Sequence, residues 1–203
     1  MNRPKVLSIA VLATTLVVAG PFVSVSWADI LSYEAVLNGL NVPNASPGTG
    51  LAFVDYDNAA HTLRVQVTFS DLLGTTTVAH IHSPTSIPLT GNAGVATQTP
   101  TFSGFPAGVT AGTYDNTFDL TLASSFNAPF MNAHGGTPAG AEAFLAAKLA
   151  DGRSYLNIHT SQFGGGEIRG FLQFVPEPST SILLGAGAVA LFGMGWRRRR
   201  PRE

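Results

Sequence analysis

The chain has no cysteine among its 203 residues. That excludes disulfide stapling, a thiol nucleophile and thiolate metal ligands, and leaves an ordinary apolar core to hold the fold. Charge is scarce as well: Asp, Glu, Lys and Arg make up 11% of the chain. Basic residues are scarcer still in its middle. Arg3 and Lys5 stand near the start, and Arg197 to Arg200 with Arg202 stand near the end, leaving Arg64, Lys148, Arg153 and Arg169 between them. From Asp29 to Pro178 these four cations face eleven acids, a net charge of −7. A nucleic-acid partner is excluded on that count, because affinity for a phosphate backbone needs clustered Lys and Arg. No Gly-x-Ser-x-Gly elbow occurs and no carboxylate pair stands out as a glycosidase acid and base, so a hydrolase has no visible machinery.

Long apolar runs are confined to the two ends. After Arg3 and Lys5 the chain is apolar from Val6 to about Val25, broken by Gly20-Pro21, and Ser26-Trp27-Ala28 places small residues where a signal peptidase reads. This predicts a signal peptide over residues 1–28, cleaved after Ala28, and the Gly-Pro break argues against an uncleaved anchor. At the other end Val175-Pro176-Glu177-Pro178 precedes an apolar stretch over 179–196 and the Arg cluster. That stretch predicts a transmembrane helix with its Arg end in the cytoplasm and the preceding domain outside. The predicted organisation is a leader (1–28), one domain (29–174) and a sorting tail (175–203).

The middle reads as short strands punctuated by Gly, Pro, Asn and Asp. Residues 63–69 alternate most cleanly, with Leu63, Val65, Val67 and Phe69 on one face, as a half-buried antiparallel strand requires. Further strands are predicted over 33–37, 51–56, 75–82, 114–122, 154–159 and 167–174, with another near 94–98 inside a long loop. Thr137-Pro138 opens an Ala-rich stretch that ends at Asp151-Gly152, predicting a helix capped by Thr137. The expected fold is all-β: a Greek-key β-sandwich or barrel with one short helical insert.

Two segments carry candidate chemistry. In Ala79-His80-Ile81-His82, residues two apart share a strand face, so His80 and His82 project together. In Leu156-Asn157-Ile158-His159-Thr160 the same period puts Asn157 and His159 together. Three imidazoles converging from two strands would suit copper or zinc; the alternative is that they staple loops to the sheet. His134, in a Gly-flanked loop, is a candidate fourth ligand, and His61 is expected at the surface. In Gly164-Gly165-Gly166-Glu167-Ile168-Arg169-Gly170 no helix follows, so the glycines predict a tight loop rather than a phosphate cradle, with Glu167 and Arg169 on one strand face pairing across the sheet. Asp55 and Asp57 share a face before a turn, where a calcium site and a solvated turn are both open readings.

The segments around His80, Asn157 to Thr160 and Glu167 to Arg169 together resemble a CHRD domain, the module named after chordin, over roughly residues 32–173. The resemblance implies an extracellular β-domain of no defined biochemical role; the leading expectation for this chain is a non-enzymatic surface or matrix module that binds an exopolysaccharide or a surface protein through its loops. Val175-Pro176-Glu177-Pro178, the apolar stretch and the Arg run resemble the PEP-CTERM sorting signal of Gram-negative bacteria. That implies an exosortase-type sorting enzyme as partner, besides signal peptidase, and delivery to the cell envelope or an extracellular matrix. In order along the chain His80, His82, His159 and Arg169 are also similar to the copper ligands and Arg of copper/zinc superoxide dismutase. This chain departs from that pattern: no histidine lies between His82 and His134, and the disulfide cannot form. The resemblance implies a copper- or zinc-binding domain, with redox activity, as the rival reading.

Overall fold

The computed structural model describes residues 30–42 and 44–176. The predicted signal peptide with its Ala28 cleavage site, Glu177, Pro178 and the predicted transmembrane helix lie outside the described residues. Among the described residues no helix is long and apolar enough to cross a membrane.

Strands β1 (Ile30–Asn38), β2 (Thr49–Asp57), β3 (Thr62–Ser70), β4 (Thr76–His82) and β5 (Gly112–Asp119) are followed by helices α1 (Ala128–Ala133) and α2 (Pro138–Ala150). Strands β6 (Tyr155–Thr160), β7 (Ile168–Phe171) and β8 (Gln173–Phe174) complete the order. They form one curled antiparallel sheet in the order β4-β6-β7-β1-β2-β3-β5, with β8 paired beside β1. The fold is all-β, as the alternation predicts. The chain passes from β3, near one edge, to β4 at the other, so sequence neighbours are not sheet neighbours throughout.

The inner face carries every second residue. Ala52, Val54 and Tyr56 of β2 and Leu63, Val65, Val67 and Phe69 of β3 are buried, joined by Tyr33, Ala35 and Leu37 of β1 and by Ala79, Ile81, Leu156 and Ile158 of β4 and β6. The β2–β3 turn is set by Asp57, whose Oδ1 accepts from the Ala59 and Ala60 amides at 2.9 and 2.8 Å. Asp55 accepts from Ser32 Oγ at 2.8 Å. Both carboxylates thus serve the hairpin and its neighbour, and neither belongs to a cluster of three His, Asp or Glu among the described residues. The turn reading, not the calcium one, fits.

The long connection from β4 to β5 runs along the otherwise free edge of β4. Ser83 N donates to Gly94 O, Ala96 N to Ile81 O, Phe102 N to Ala79 O and Gly108 N to Thr76 O, all between 2.8 and 3.1 Å. The strand expected at 94–98 does not form there; only single bridges, His82 with Val95 and Thr97 with Phe126, are made. The reason lies in two side chains. Thr97 Oγ1 takes the Ile81 amide and Thr101 Oγ1 takes the Ala79 amide, so hydroxyls replace the carbonyls a regular ladder would use. From this connection Phe102 and Phe105 enter the core, Phe102 lying 5.3 Å from the Phe118 ring and Phe105 5.7 Å from Phe69.

Helix α2 starts where expected: Thr137 accepts the Gly140 amide and Pro138 occupies the first turn. Its buried positions are Ala141, Glu142, Leu145 and Leu149, with Phe144 at the margin. The single expected insert is in fact a helix pair, since α1 precedes it; six residues are too few to display a helical period. β5 stops at Asp119, whose Oδ1 accepts from Thr121 N and Oγ1 and turns the chain out of the sheet. The expected strand over 167–174 splits at Leu172, whose amide bonds to Ser154 O. Beyond β8, Val175 N still donates to Ser32 O at 2.8 Å.

Phe102 is fully buried where the connection meets the sheet. Phe102→Ala is expected to lower unfolding stability by about 3–5 kcal/mol, read by urea denaturation; a loss below about 1 kcal/mol would mean that the connection is not part of the core.

Candidate metal centre

The pairing of β4 with β6 sets His80 opposite Asn157, His82 opposite Tyr155 and Val78 opposite His159. β7 extends the same rows, with Arg169 opposite Asn157 and Phe171 opposite Tyr155. Because Ala79, Ile81, Leu156, Ile158 and Ile168 take the core face, the intervening residues must share the other one. On that face the three imidazoles meet, with ring centroids 5.8 Å (His80–His82), 5.5 Å (His80–His159) and 5.7 Å (His82–His159) apart. One ring nitrogen from each lies within 4.8 Å of the others. Three nitrogens bound to one ion would be about 3.3–3.6 Å apart, a gap that small ring rotations close.

Each ring is held by a backbone carbonyl. His80 Nε2 donates to Pro100 O at 2.6 Å, His82 Nδ1 to Ala93 O at 2.9 Å and His159 Nδ1 to Gly164 O at 2.8 Å. A carbonyl only accepts, so these nitrogens carry the protons and the lone pairs sit on His80 Nδ1, His82 Nε2 and His159 Nε2. The first two are buried and have no hydrogen-bond partner. The third meets Asn157 Nδ2 at 3.2 Å. A carbonyl on one nitrogen and a bare lone pair on the other is how metal-ligating histidines are oriented.

Burial pushes His80 below the usual imidazole range, with the Pro100 hydrogen bond opposing and the charge of His159 adding. Burial takes His82 down to about 4, the Ala93 hydrogen bond opposing and His159, His80 and Arg169 adding. Both rings are therefore neutral at neutral pH, the state a ligand needs.

His134 does not join them. It stacks on Phe144 at 3.5 Å and meets Phe130 edge-on at 4.6 Å, packed into the helix pair rather than solvated. His61 is half-exposed, with Nδ1 3.0 Å from Glu142. Among the described residues the cluster consists of three groups.

A family model of the CHRD domain matches residues 33–172, and one of the PEP-CTERM protein-sorting motif matches residues 174–200. The chain belongs to the CHRD domain family. Its sorting motif makes it an exported protein, handled by an exosortase and directed to the Gram-negative cell envelope. No curated protein and no solved structure gives a significant match.

In this CHRD domain the Gly-Glu-Ile-Arg-Gly run does two separate jobs. Glu167 precedes β7 and does not pair across the sheet beside Arg169 as expected. It turns inward, fully buried, and accepts from Ser46 Oγ (2.6 Å), Thr160 Oγ1 (2.7 Å), Leu73 N (2.5 Å) and Gly74 N (3.0 Å). Just before it Gly166, at φ +119°, lies so close to Asn157 that a Cβ there would fall 2.2 Å from its Oδ1, so this step admits only glycine. Arg169 lies over the Tyr155 ring, 4.9 Å from its centroid, donates from Nη1 to Asn92 Oδ1 at 2.6 Å and from Nε to Asn41 O. Tyr155 in turn stacks on His82 at 4.9 Å and receives the Ala93 amide. Sequence reading missed Tyr155, Asn92 and Ala93; the signal for Tyr155 was its place two before Asn157 on the same strand face.

The carboxylate of Glu167 is disfavoured by burial, but its four donors prevail and hold its pKa below the ordinary 4.5. A carboxyl with a lowered folded pKa stabilises the fold above the unfolded value and ceases to do so as pH falls through the folded one. Stability should therefore drop on acidification below pH 4.5. Glu167→Gln should cost about 2–3 kcal/mol at pH 7 and flatten this acid limb, measured by urea denaturation across pH 3–7. An unchanged acid limb in the variant would show that Glu167 does not carry it.

Proposed function

We propose that this exported CHRD domain binds one copper or zinc ion through His80 Nδ1, His82 Nε2 and His159 Nε2. The observation that carries the reading is the pair of buried, unpartnered nitrogens on His80 and His82. A buried acceptor without a partner costs about 1–3 kcal/mol, and two side by side are not explained by loop stapling, which uses only the opposite nitrogens. Stapling would not require a ring nitrogen of each histidine to lie within 4.8 Å of the others either. When bound, the ion would supply Lewis acidity or electron transfer; the domain's own part is to keep the rings neutral, oriented and shielded.

A second reading has a separate basis. On the outer face of β2, β3 and β5 a shallow groove is lined by Leu51, Phe53, Gln66, Thr68, Thr113 and Asp115, and Phe53 is 42% exposed. An apolar ring among amide and carboxylate groups suits a surface-module role, with an exopolysaccharide or a surface protein as partner. The two readings occupy different strands of the sheet and are compatible.

The protein purified without a His-tag should carry about one copper or zinc per chain by elemental analysis, and His80→Ala, His82→Ala and His159→Ala should each lose it while keeping the native circular dichroism. Metal content that survives all three substitutions would sink the proposal.

A further inference from the structure

Neutral donors alone make up the cluster, and the groups that orient them are neutral too: the carbonyls of Pro100, Ala93 and Gly164. Resting on the metal reading of this site, we infer that it is built for monovalent copper in preference to a divalent ion.

Electrostatics supplies the first argument. Moving an ion from water into a buried site costs solvation energy that grows as the square of its charge, so a dication pays about four times what a monocation does. A carboxylate, as a ligand or hydrogen-bonded behind a histidine in place of a backbone carbonyl, would offset part of this for a dication. None is present, since no Asp or Glu joins the cluster among the described residues. The buried carboxylate of Glu167 is committed to Ser46, Thr160, Leu73 and Gly74. Beside the cluster the formal charge is positive: Arg169 lies on Tyr155, which stacks on His82. Each of these features penalises a second positive charge on the ion.

Coordination number supplies the second. Zinc held by three histidines must complete its tetrahedron with a water, and divalent copper favours a four-ligand nitrogen or oxygen plane. The cluster offers three, and its ring centroids form a nearly equilateral triangle with sides of 5.5, 5.7 and 5.8 Å. Monovalent copper, a closed-shell ion without a ligand-field preference, is satisfied by three nitrogens in a plane.

The test is an anaerobic competition titration of the metal-free full chain with Cu(I), and parallel titrations with Zn(II) and Cu(II), each against a chelator of known affinity, followed by X-ray absorption at the copper edge. The expected result is a Cu(I) Kd at least about tenfold below those for Zn(II) and Cu(II), with three nitrogen neighbours around copper. Equal or tighter binding of Zn(II) or Cu(II), lost in His82→Ala, would overturn the inference and leave the metal site standing. If no ion binds in a His80-, His82- or His159-dependent way, the metal reading fails with it.

Discussion

The antiparallel register between β4 and β6 decides which side chains this domain hides and which it gathers. Side chains alternate faces with a period of two, so a slip of one residue would exchange Ala79, Ile81, Leu156 and Ile158 for His80, His82, Asn157 and His159 in the core. Four apolar residues therefore lock the position of four polar ones. The register is held in turn from β7, which sets Ile168 against Ile158, and by Glu167, whose carboxylate ties Thr160 to the Leu73-Gly74 turn ahead of β4. A core requirement and a buried charge thus act on the same two strands, and the imidazole triangle is their product.

The connection from β4 to β5 couples shielding to orientation. An edge strand exposes a row of amides and carbonyls to any other chain, and here that row is consumed by residues 83–108 of the same molecule. The same stretch supplies the Ala93 and Pro100 carbonyls that fix the tautomers of His82 and His80. It also sends Phe102 into the core. Loosening it would expose the edge, release the rings and open the core together.

Much of this was legible because it follows from period two. The strands around Leu63 to Phe69 and the shared faces of His80 with His82 and of Asn157 with His159 need only alternation to be found. Thr137-Pro138 marked the start of α2 through cap chemistry that is local to four residues. What could not be read depends on contacts far apart in sequence. That Thr97 and Thr101 would supply hydroxyls to β4, that Glu167 would turn inward to Ser46 and the Leu73-Gly74 turn, and that His134 would lie on Phe144 are each decided by a partner many residues away. The six-residue α1 fell below the length at which a helix declares itself.

The closing strand β8 is only two residues long, and both are exposed, yet Val175, the first residue of the sorting motif, is still hydrogen-bonded to Ser32 of β1. Folded body and processing signal therefore share a residue, with no spacer between them. An enzyme that must draw the motif into its own cleft has to peel this last rung from the sheet. The rung is cheap to peel, because so short and solvent-facing a pairing opens at little cost beside global unfolding. The margin of the sheet that adjoins the signal is thus also the part of the fold that frays most readily.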